Sequence, residues 1–446
     1  MVSAVEQMSR NANWGAFAKA TELRQRIMFV IIALLVYRLG TYIPVPGIDP
    51  VVWNEIFSQK GGGILDMFNL FSGGALERMT IFALNIMPYI SASIIVQLAT
   101  ALVPQLEAMK KEGEQGRVKI NQYTRFLTVI LATIQAYGLA VGLENLQGTG
   151  GTAVIDPGMF FRVSTVITIV GGTVFLMWLG DQITRRGIGN GISLIIFAGI
   201  VANMPRALGS TLELGRQGQF HVFELLGMVL LVVAVITLIV FVERAQRRIV
   251  VQYPKRQVGN RMAMGDTNHI PMKLNIAGVI PPIFASSLLL LPLTIANFSG
   301  AGGTGIIADI TRYLQHGQPL YMLVYGALIT FFCFFYTAIV FNPEENAEML
   351  RKNGGFIPGI RPGKSTADYF DFVMTRVTVV GAAYLVLVCL LPEFLIAGMG
   401  MPFYFGGTSL LIVVSVTMDT VGQMQSHMIA HQYEGLIRKA KLKGKM

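Results

Sequence analysis

The chain has 446 residues, of which 53% are hydrophobic and only 13% are charged, and its formal net charge is +10. Soluble globular proteins usually carry about 25% charged residues, so this composition excludes an ordinary soluble enzyme and predicts a polytopic membrane protein. A net positive charge also suits a nucleic-acid-binding protein. In a membrane protein it more often reflects basic cytoplasmic loops, so the positions of the charges must decide between the two.

Ten apolar segments are long enough to be membrane-spanning helices. They lie near residues 27–43, 79–101, 126–143, 161–180, 188–204, 222–242, 274–297, 319–341, 377–397 and 403–424. With a cytoplasmic N-terminus, 28 of the 35 lysines and arginines fall in inner segments and six in outer ones. Arg38 remains inside the first span, near its outer end, where it can snorkel. This asymmetry predicts that both termini are cytoplasmic.

A polar break after the fifth span allows two halves of five helices, which in one membrane would be related by inversion. The resulting division is an inner N-terminal segment, an N-terminal half, an external loop, a C-terminal half and a basic inner tail, at residues 1–26, 27–204, 205–221, 222–424 and 425–446. The C-terminal half contains two long basic inner loops, at 243–273 and 342–376.

A short apolar run, Ile64 to Phe71, precedes the second span and is bordered by "GGG" and "SGG". As a helix it would cover about 12 Å, whereas a hydrocarbon core is about 30 Å thick. This run cannot span a membrane, yet it is too apolar for an ordinary solvated loop.

The two inner loops have sequence patterns typical of hairpins, helices and defined turns. The alternation in "RRIVVQY" predicts a short hairpin in the first loop. The second begins with the helix formers "EENAEMLRK" and breaks at Gly354–Gly355 and at the "PGIRPG" turn around Arg361. The basic residues could serve only to set topology, but the length and turns of the loops favour a docking surface.

The centres of the predicted spans are nearly free of charged residues, because Asp181 and Asp419 lie at or near the ends of theirs. Transporters that couple to ions usually carry charges within their spans. The polar residues inside the spans are Asn85, Gln97, Gln135 and Asn275, with scattered serines and threonines. The glycine-rich "GIGNGIS" at 187–193 is interpreted as a turn and not as a nucleotide site. We find no catalytic or metal-site pattern and expect no enzyme, cofactor or metal.

Two isoleucine pairs, Ile86 with Ile90 and Ile192 with Ile196, are each four residues apart and share a helix face. Isoleucine is stiff at χ1, so a ring of isoleucines could form an apolar constriction that gates by dewetting. Membrane helices generally contain isoleucines that face lipid or neighbouring helices, so spacing alone does not select these four.

Seven motifs along the chain resemble the bacterial SecY family, whose members are the central subunit of the Sec protein-conducting channel. The motifs are "DMFNLFSGGAL", "IMPYISASIIVQL", "RGIGNGIS", "VERAQRRIVV", "FCFFYTAIVFNPEENAEML", "GIRPG" and "PFYFGGTSLLIVV". The resemblance runs from about residue 20 to the C-terminus, while the extreme N-terminus and the outer loop near 144–160 carry no diagnostic match.

The resemblance implies an all-α membrane protein with ten transmembrane helices in two inverted five-helix halves, hinged between helices five and six. An hourglass pore is expected between the halves. Its waist is implied to be a ring of Ile86, Ile90, Ile192, Ile196, Ile283 and Ile412. Residues 61–76 resemble a re-entrant plug half-helix that seals the outer funnel, with apolar members Ile64, Leu65, Met67, Phe68, Leu70 and Phe71. Irregular backbone at membrane depth is tolerated where it lines a water-filled cavity.

The same resemblance implies a lateral gate between helices two and seven, with polar positions Ser91, Gln97 and Asn275. The basic loops resemble docking sites, and the residues that match are Lys255, Arg256, Arg261 and Arg361. Asn260 departs from the family pattern, since a basic residue is expected there. The implied partners are the small subunits SecE and SecG, the SecA motor ATPase, the ribosome, signal sequences and nascent chains, and membrane lipids.

Three functions remain in competition at this level. A passive protein-conducting channel in the bacterial inner membrane is favoured. A ten-span transporter for a small solute is weakened by the lack of charges within the spans. A structural scaffold subunit would have no need of a plug.

Overall fold

The computed structural model describes residues 21–60, 69, 71–145, 147–148, 151–217, 222–253, 256–258, 261–263, 267–298, 318–399 and 407–443. These residues fall into two compact units. The first holds the described residues up to Leu212 together with those in Leu291–Thr311 and Ile412–Met446, and the second holds those in Glu213–Leu290 and Arg312–Leu411.

The described residues of the first unit include seven helices and one short antiparallel strand pair. They are α1 (Thr21–Gly40), α2 (Pro50–Lys60), α3 (Met87–Leu102), α4 (Pro104–Lys111), α5 (Glu114–Asn145), β1 (Gln147–Gly148), β2 (Gly151–Thr152), α6 (Met159–Arg186) and α7 (Gly191–Arg216). The last residues of α7, from Glu213 onward, belong to the second unit. Helix α3 packs on α5, and α6 packs on both α5 and α1. Between α3 and α4 the chain bends by 96° at Pro104, which cannot continue the α3 hydrogen-bond ladder.

The apolar run that begins at Met79 does not become helical until Met87, so the second predicted span starts later than expected. Met79 and Asn85 have φ angles of +44° and +49°, in the left-handed region that an α-helix cannot use. Asparagine adopts this region more easily than most residues. Pro88 then lies in the first turn of α3, where the missing N–H is not needed.

The second unit contains helices that carry the two long inner loops. Its elements are α8 (Val222–Arg244), β3 (Gln246–Gln252), β4 (Arg256–Val258), β5 (Arg261–Ala263), β6 (Thr267–Lys273), α9 (Ile280–Phe298), α10 (Pro319–Val340), α11 (Pro343–Lys352), α12 (Lys364–Met399) and α13 (Gly407–Lys443). Helix α9 belongs to the first unit from Leu291 onward, and α13 belongs to the first unit from Ile412 onward, so only the first five residues of α13 lie in the second. Strand β3 pairs antiparallel with β6, which confirms the hairpin predicted from "RRIVVQY", and β4 pairs with β5 at its tip.

By length and apolar composition, six of the described helices can cross a membrane, or seven if the bent pair α3–α4 is one span. Each of the ten predicted segments contains a described helix. Helix α1, however, carries Glu22, Arg24 and Arg26 in its first turns, and α3 has only 16 residues. The molecule is therefore a mostly helical, multi-pass membrane protein, and the count of ten spans stays a prediction.

Some apolar side chains of these helices are buried against neighbouring elements, and others are exposed on the surface of the protein. In the first unit, Trp53, Leu139 and Ile169 belong to one buried cluster formed by α2, α5, α6 and the turns before α3. Helix α8 is the opposite case, because only 11% of its apolar window is buried. Since lipid tails are as apolar as these side chains, such exposure is expected of a helix that faces the bilayer.

Candidate functional site

Five of the six predicted waist isoleucines belong to the first unit, and Ile283 belongs to the second. Ile86 is the N-cap residue of α3, and its carbonyl accepts the Ile90 N–H at 3.0 Å, so the two are one turn apart and both are buried. Ile196 in α7 and Ile412 in α13 are also buried. The closure of a ring that includes Ile283 stays a prediction.

Ile192 lies in the first turn of α7 and is half-buried. Its Cγ1 lies only 3.2 Å from the position that a Cβ atom would take at Gly180 of α6. A Cβ at Gly191 would approach the Gly180 carbonyl oxygen to 2.0 Å. Gly180 and Gly191 therefore allow α6 and the start of α7 to approach each other closely beside Ile192.

Of the predicted plug residues, Ile64, Leu65, Met67, Phe68 and Leu70 lie outside the described residues. Phe71 is described and is buried, and it is helical together with Asn69 and Ser72. Gly73 and Gly74 follow with φ angles of +68° and +85°, which end the helix and which glycine adopts without strain. We call Asn69 together with residues 71–77 the plug anchor.

The carbonyl groups of the plug anchor are capped by side chains from distant parts of the chain. Tyr37 Oη donates to the Ser72 oxygen at 3.2 Å, and Arg38 Nη1 donates to the Gly73 oxygen at 2.6 Å. Asn85 Nδ2 donates to the Phe71 oxygen at 2.6 Å. A helix leaves its last carbonyl groups without intrahelical partners, and a cation is favourable at that end. Tyr37, Arg38 and Asn85 donate hydrogen bonds to these carbonyl groups, and Arg38 also places a cation at the end of the helix.

Helix α7 forms a second wall of the plug anchor. A Cβ atom at Gly199 would lie 2.7 Å from the Phe71 oxygen, so only glycine fits at this crossing. Asn203 Nδ2 donates to the Asn69 oxygen at 3.4 Å. Arg206 Nη1 donates at 2.6 Å to Glu77, whose carboxylate also accepts from Asn69 Nδ2 at 3.2 Å.

None of these capping residues was singled out for this role from the sequence. Asn85 was predicted as a polar residue inside a span, but it lies in the turn before α3 and caps Phe71. Arg38 bonds the Gly73 carbonyl and lies 5.1 Å from the Tyr42 ring centroid, and its predicted snorkelling stays a prediction. The sequence feature that could have indicated this capping role is an arginine near the end of an otherwise apolar segment.

The predicted gate residues are divided between the two units. In the first unit, Ser91 is buried, and Gln97 Nε2 donates to Ser93 Oγ at 3.2 Å, one turn earlier in α3. In the second unit, Asn275 is buried, and its Nδ2 donates to Glu243 Oε1 at 2.7 Å and to the Gly278 oxygen at 3.0 Å. The side-chain oxygens of Gln97 and Asn275 are both buried without a partner among the described residues. A gate hydrogen bond that joins them to other groups stays a prediction.

The two inner loops pack into one body, which we call the docking body: β3, β6, α11, residues 353–363 and the start of α12. Its core is a cluster contributed by all of these elements. The buried members are Ile249, Val251, Met272, Ala347, Leu350, Ile357, Ala367, Phe370, Val373 and Met374. Gln252 and Phe356 exchange two backbone hydrogen bonds, of 2.8 and 2.9 Å, which join the first loop to the second.

Local sequence explains how the second loop folds. Asn342 caps α11 by accepting the N–H groups of Glu344 and Glu345, and Pro343 takes the first helical position. Gly354 has φ +74°, and the Gly355 N–H bonds the Leu350 carbonyl, the 6→1 bond of a Schellman C-cap. The break predicted at the glycine pair is confirmed.

Arg361 lies in the turn that leads into α12 and is exposed. The Arg361 carbonyl accepts Thr366 Oγ1 at 3.0 Å, and Gly359 and Gly363 on either side have φ angles of +82° and +111°. The turn is therefore fixed while its guanidinium is presented to solvent. Of the other predicted docking residues, Arg256 and Arg261 lie in the short pair β4–β5, and Lys255 lies outside the described residues.

Within the described residues, no group of three His, Cys, Asp or Glu side chains could hold a metal ion. Cys333 and Cys389 are free and buried. The candidate site is thus a set of buried apolar positions, capping side chains and predicted docking positions spread over the chain.

Comparison with known proteins gives the family. A family model described as SecY matches residues 80–421. The chain is 58% identical to the protein translocase subunit SecY of Escherichia coli K12 over 95% of this chain and 96% of that protein. It is 56% identical to that of Vibrio cholerae with the same coverage.

Solved structures share the fold at low sequence identity. A protein-conducting channel matches with a TM-score of 0.65 at 20% identity, covering 90% of this chain and 92% of the other. Canine Sec61 from a ribosome–channel complex matches with a TM-score of 0.61 at 18% identity and the same coverage. The chain belongs to the SecY family.

Proposed function

We propose that the chain is the protein-conducting channel subunit of a bacterial protein translocase. It would pass unfolded secretory proteins across the membrane and release membrane-protein helices sideways into the lipid. The observation that carries the proposal is the 58% identity, over 95% of the chain, to a subunit named for protein translocation. The near absence of charges at the centres of the predicted spans supports a passive channel over an ion-coupled transporter.

The waist would hold back ions by desolvation. Isoleucine side chains cannot replace the water that an ion loses on entry, so a narrow isoleucine ring imposes a barrier without a charged gate. All six matching positions are isoleucine. A passing polypeptide would displace the side chains in turn, and the ring would close behind it.

The plug would seal the outer funnel in the resting channel. The capped carbonyls at Phe71, Ser72 and Gly73 support a fixed attachment at its C-terminal end. The predicted apolar members before Phe71 would form the stopper.

The lateral gate would be held closed by weak interactions. Buried hydrogen bonds in a membrane contribute only about 0.6 kcal/mol on average, which suits a gate that a signal sequence must open.

The docking body would receive the SecA motor ATPase or the ribosome, which would supply the energy, while the chain itself would catalyse no reaction. The exposed Arg361 on a fixed turn is the residue that we assign to this contact. SecE and SecG would be the companion subunits. The whole would lie in the cytoplasmic membrane with both termini in the cytoplasm, as the distribution of basic residues indicates.

The proposal is tested by reconstitution. Proteoliposomes that contain this chain with its companion subunits should, on addition of the motor ATPase and ATP, protect a secretory precursor from external protease. Proteoliposomes with the companion subunits alone provide the control. A chain that folds and inserts normally but gives no protected precursor would contradict the proposed function.

A further inference from the structure

The two ends of the β3–β6 hairpin of the docking body lie side by side. Gln246 at the start of β3 is opposite Lys273 at the end of β6. The Leu274 N–H then donates to the Ala245 carbonyl at 3.0 Å, which extends the ladder beyond the strands. The end of α8 and the residues that lead into α9 are therefore held side by side.

Glu243, in the last turn of α8, makes a specific contact at this point. Its Oε1 accepts Asn275 Nδ2 at 2.7 Å. A carboxylate at a helix C-terminus faces the negative end of the helix dipole, which is unfavourable. A hydrogen bond to an ionised acceptor is roughly twice as strong as a neutral one, and the bond from the buried Asn275 amide offsets that cost.

The linker between β6 and α9, residues 274–279, also contacts α12 and the core of the docking body. A Cβ atom at Gly381 of α12 would lie 2.8 Å from the Leu274 oxygen, so α12 passes directly against the linker. Ile276 packs against the core of the docking body. Asn275 also donates to the Gly278 carbonyl, and Gly278 turns the chain with φ +62° into α9.

We propose that Glu243 is a positioning residue that couples the docking body to the start of α9 through its hydrogen bond to Asn275. Helix α9 carries the waist residue Ile283 in its first turns. A displacement of the docking body would move the linker, and with it the start of α9, instead of being absorbed by a loose connection. The inference deepens the proposed function, because it rests on docking at the inner loops.

The coupling is tested by two readouts on the full translocase. Hydrogen exchange of the linker amides 274–279 should become about tenfold faster in Glu243→Ala, since loss of a bond to a charged group leaves a buried donor unpaired. Glu243→Gln, which keeps an acceptor oxygen, should show a smaller change. The effects of Glu243→Ala and Asn275→Ala should be less than additive in the double variant, because both single changes remove the same bond. Glu114→Ala, which removes an exposed carboxylate at the start of α5, outside the docking body, is the matched control.

The second readout separates coupling from docking. In Glu243→Ala the motor concentration for half-maximal translocation should stay at the parent value while the maximal rate falls several-fold. If exchange and maximal rate in Glu243→Ala both match the parent, or if the half-maximal concentration rises in step with the loss of rate, the coupling is wrong. If Glu243→Ala does not fold, the same outcomes are read from Glu243→Gln and Asn275→Ala. Arg361→Glu should instead raise the half-maximal concentration, and if it does not, the proposed docking fails whatever Glu243 does.

Discussion

Removal of one hydroxyl group should loosen the plug anchor. Tyr37 is fully buried, and its hydroxyl donates to the Ser72 carbonyl in the plug anchor. Tyr37→Phe keeps the ring, which stacks on Phe82, and removes only this donor. A buried acceptor that loses its partner costs about 1–3 kcal/mol, which shifts a local equilibrium by about 5- to 150-fold.

If plug residues before Phe71 seal the resting channel, this shift should raise the resting ion leak by at least about fivefold. The assay is the conductance of translocase in planar bilayers without motor or substrate. Tyr123→Phe makes the same chemical change at an exposed tyrosine of α5 and should leave the leak unchanged. Asn85→Ala, which removes the Phe71 cap, should act in the same direction. Parent-level leak in both Tyr37→Phe and Asn85→Ala, with the proteins normally folded, would refute the role of the anchor.

Three further predictions concern the plug, the docking turn and the waist. Deletion of residues 61–74 should leave translocation working but make resting channels leak ions in bilayers, whereas lost folding without leak would mark the segment as structural core. Arg361→Glu should stop motor-driven export at normal protein levels, because the exposed charge of Arg361 lies on a turn fixed by Thr366. The measurement is the accumulation of secretory precursor, and normal export would disprove the assignment. Combined Ile86→Ser, Ile192→Ser and Ile283→Ser should raise single-channel conductance and loosen signal-sequence discrimination, while one replacement should change little because five isoleucines remain. A combined variant that is as tight as the parent, with the plug removed from both, would show that these residues are not the seal.

Features that depend on neighbouring residues were predictable from the sequence. Long apolar runs became helices, the alternation around Ile249 became a strand, and the glycine pair at 354–355 ended α11. Each of these follows from periodicity or from glycine chemistry within a few residues.

Features that depend on contacts between distant residues were not predictable in this way. The run from Met79 to Ile86 has helical composition, but its backbone turns so that Asn85 can reach Phe71 and Thr80 can pair with Pro44. Asn203 and Asn69 are 134 residues apart, and no local pattern links them. Asn275 was selected as a gate residue by resemblance, but its partner Glu243 became visible only in the fold.

The central claim is that a polypeptide passes the isoleucine waist, and crosslinking tests it directly. Ile86→Cys should crosslink to a probe in a secretory chain stalled during translocation. Ile167→Cys, an exposed isoleucine of α6, should not. The parent chain, which carries only the native Cys333 and Cys389, gives the background crosslinking that is subtracted from both variants. If position 86 gives no crosslink above that at position 167 while the stalled chain is inserted, the waist is not the path of the polypeptide.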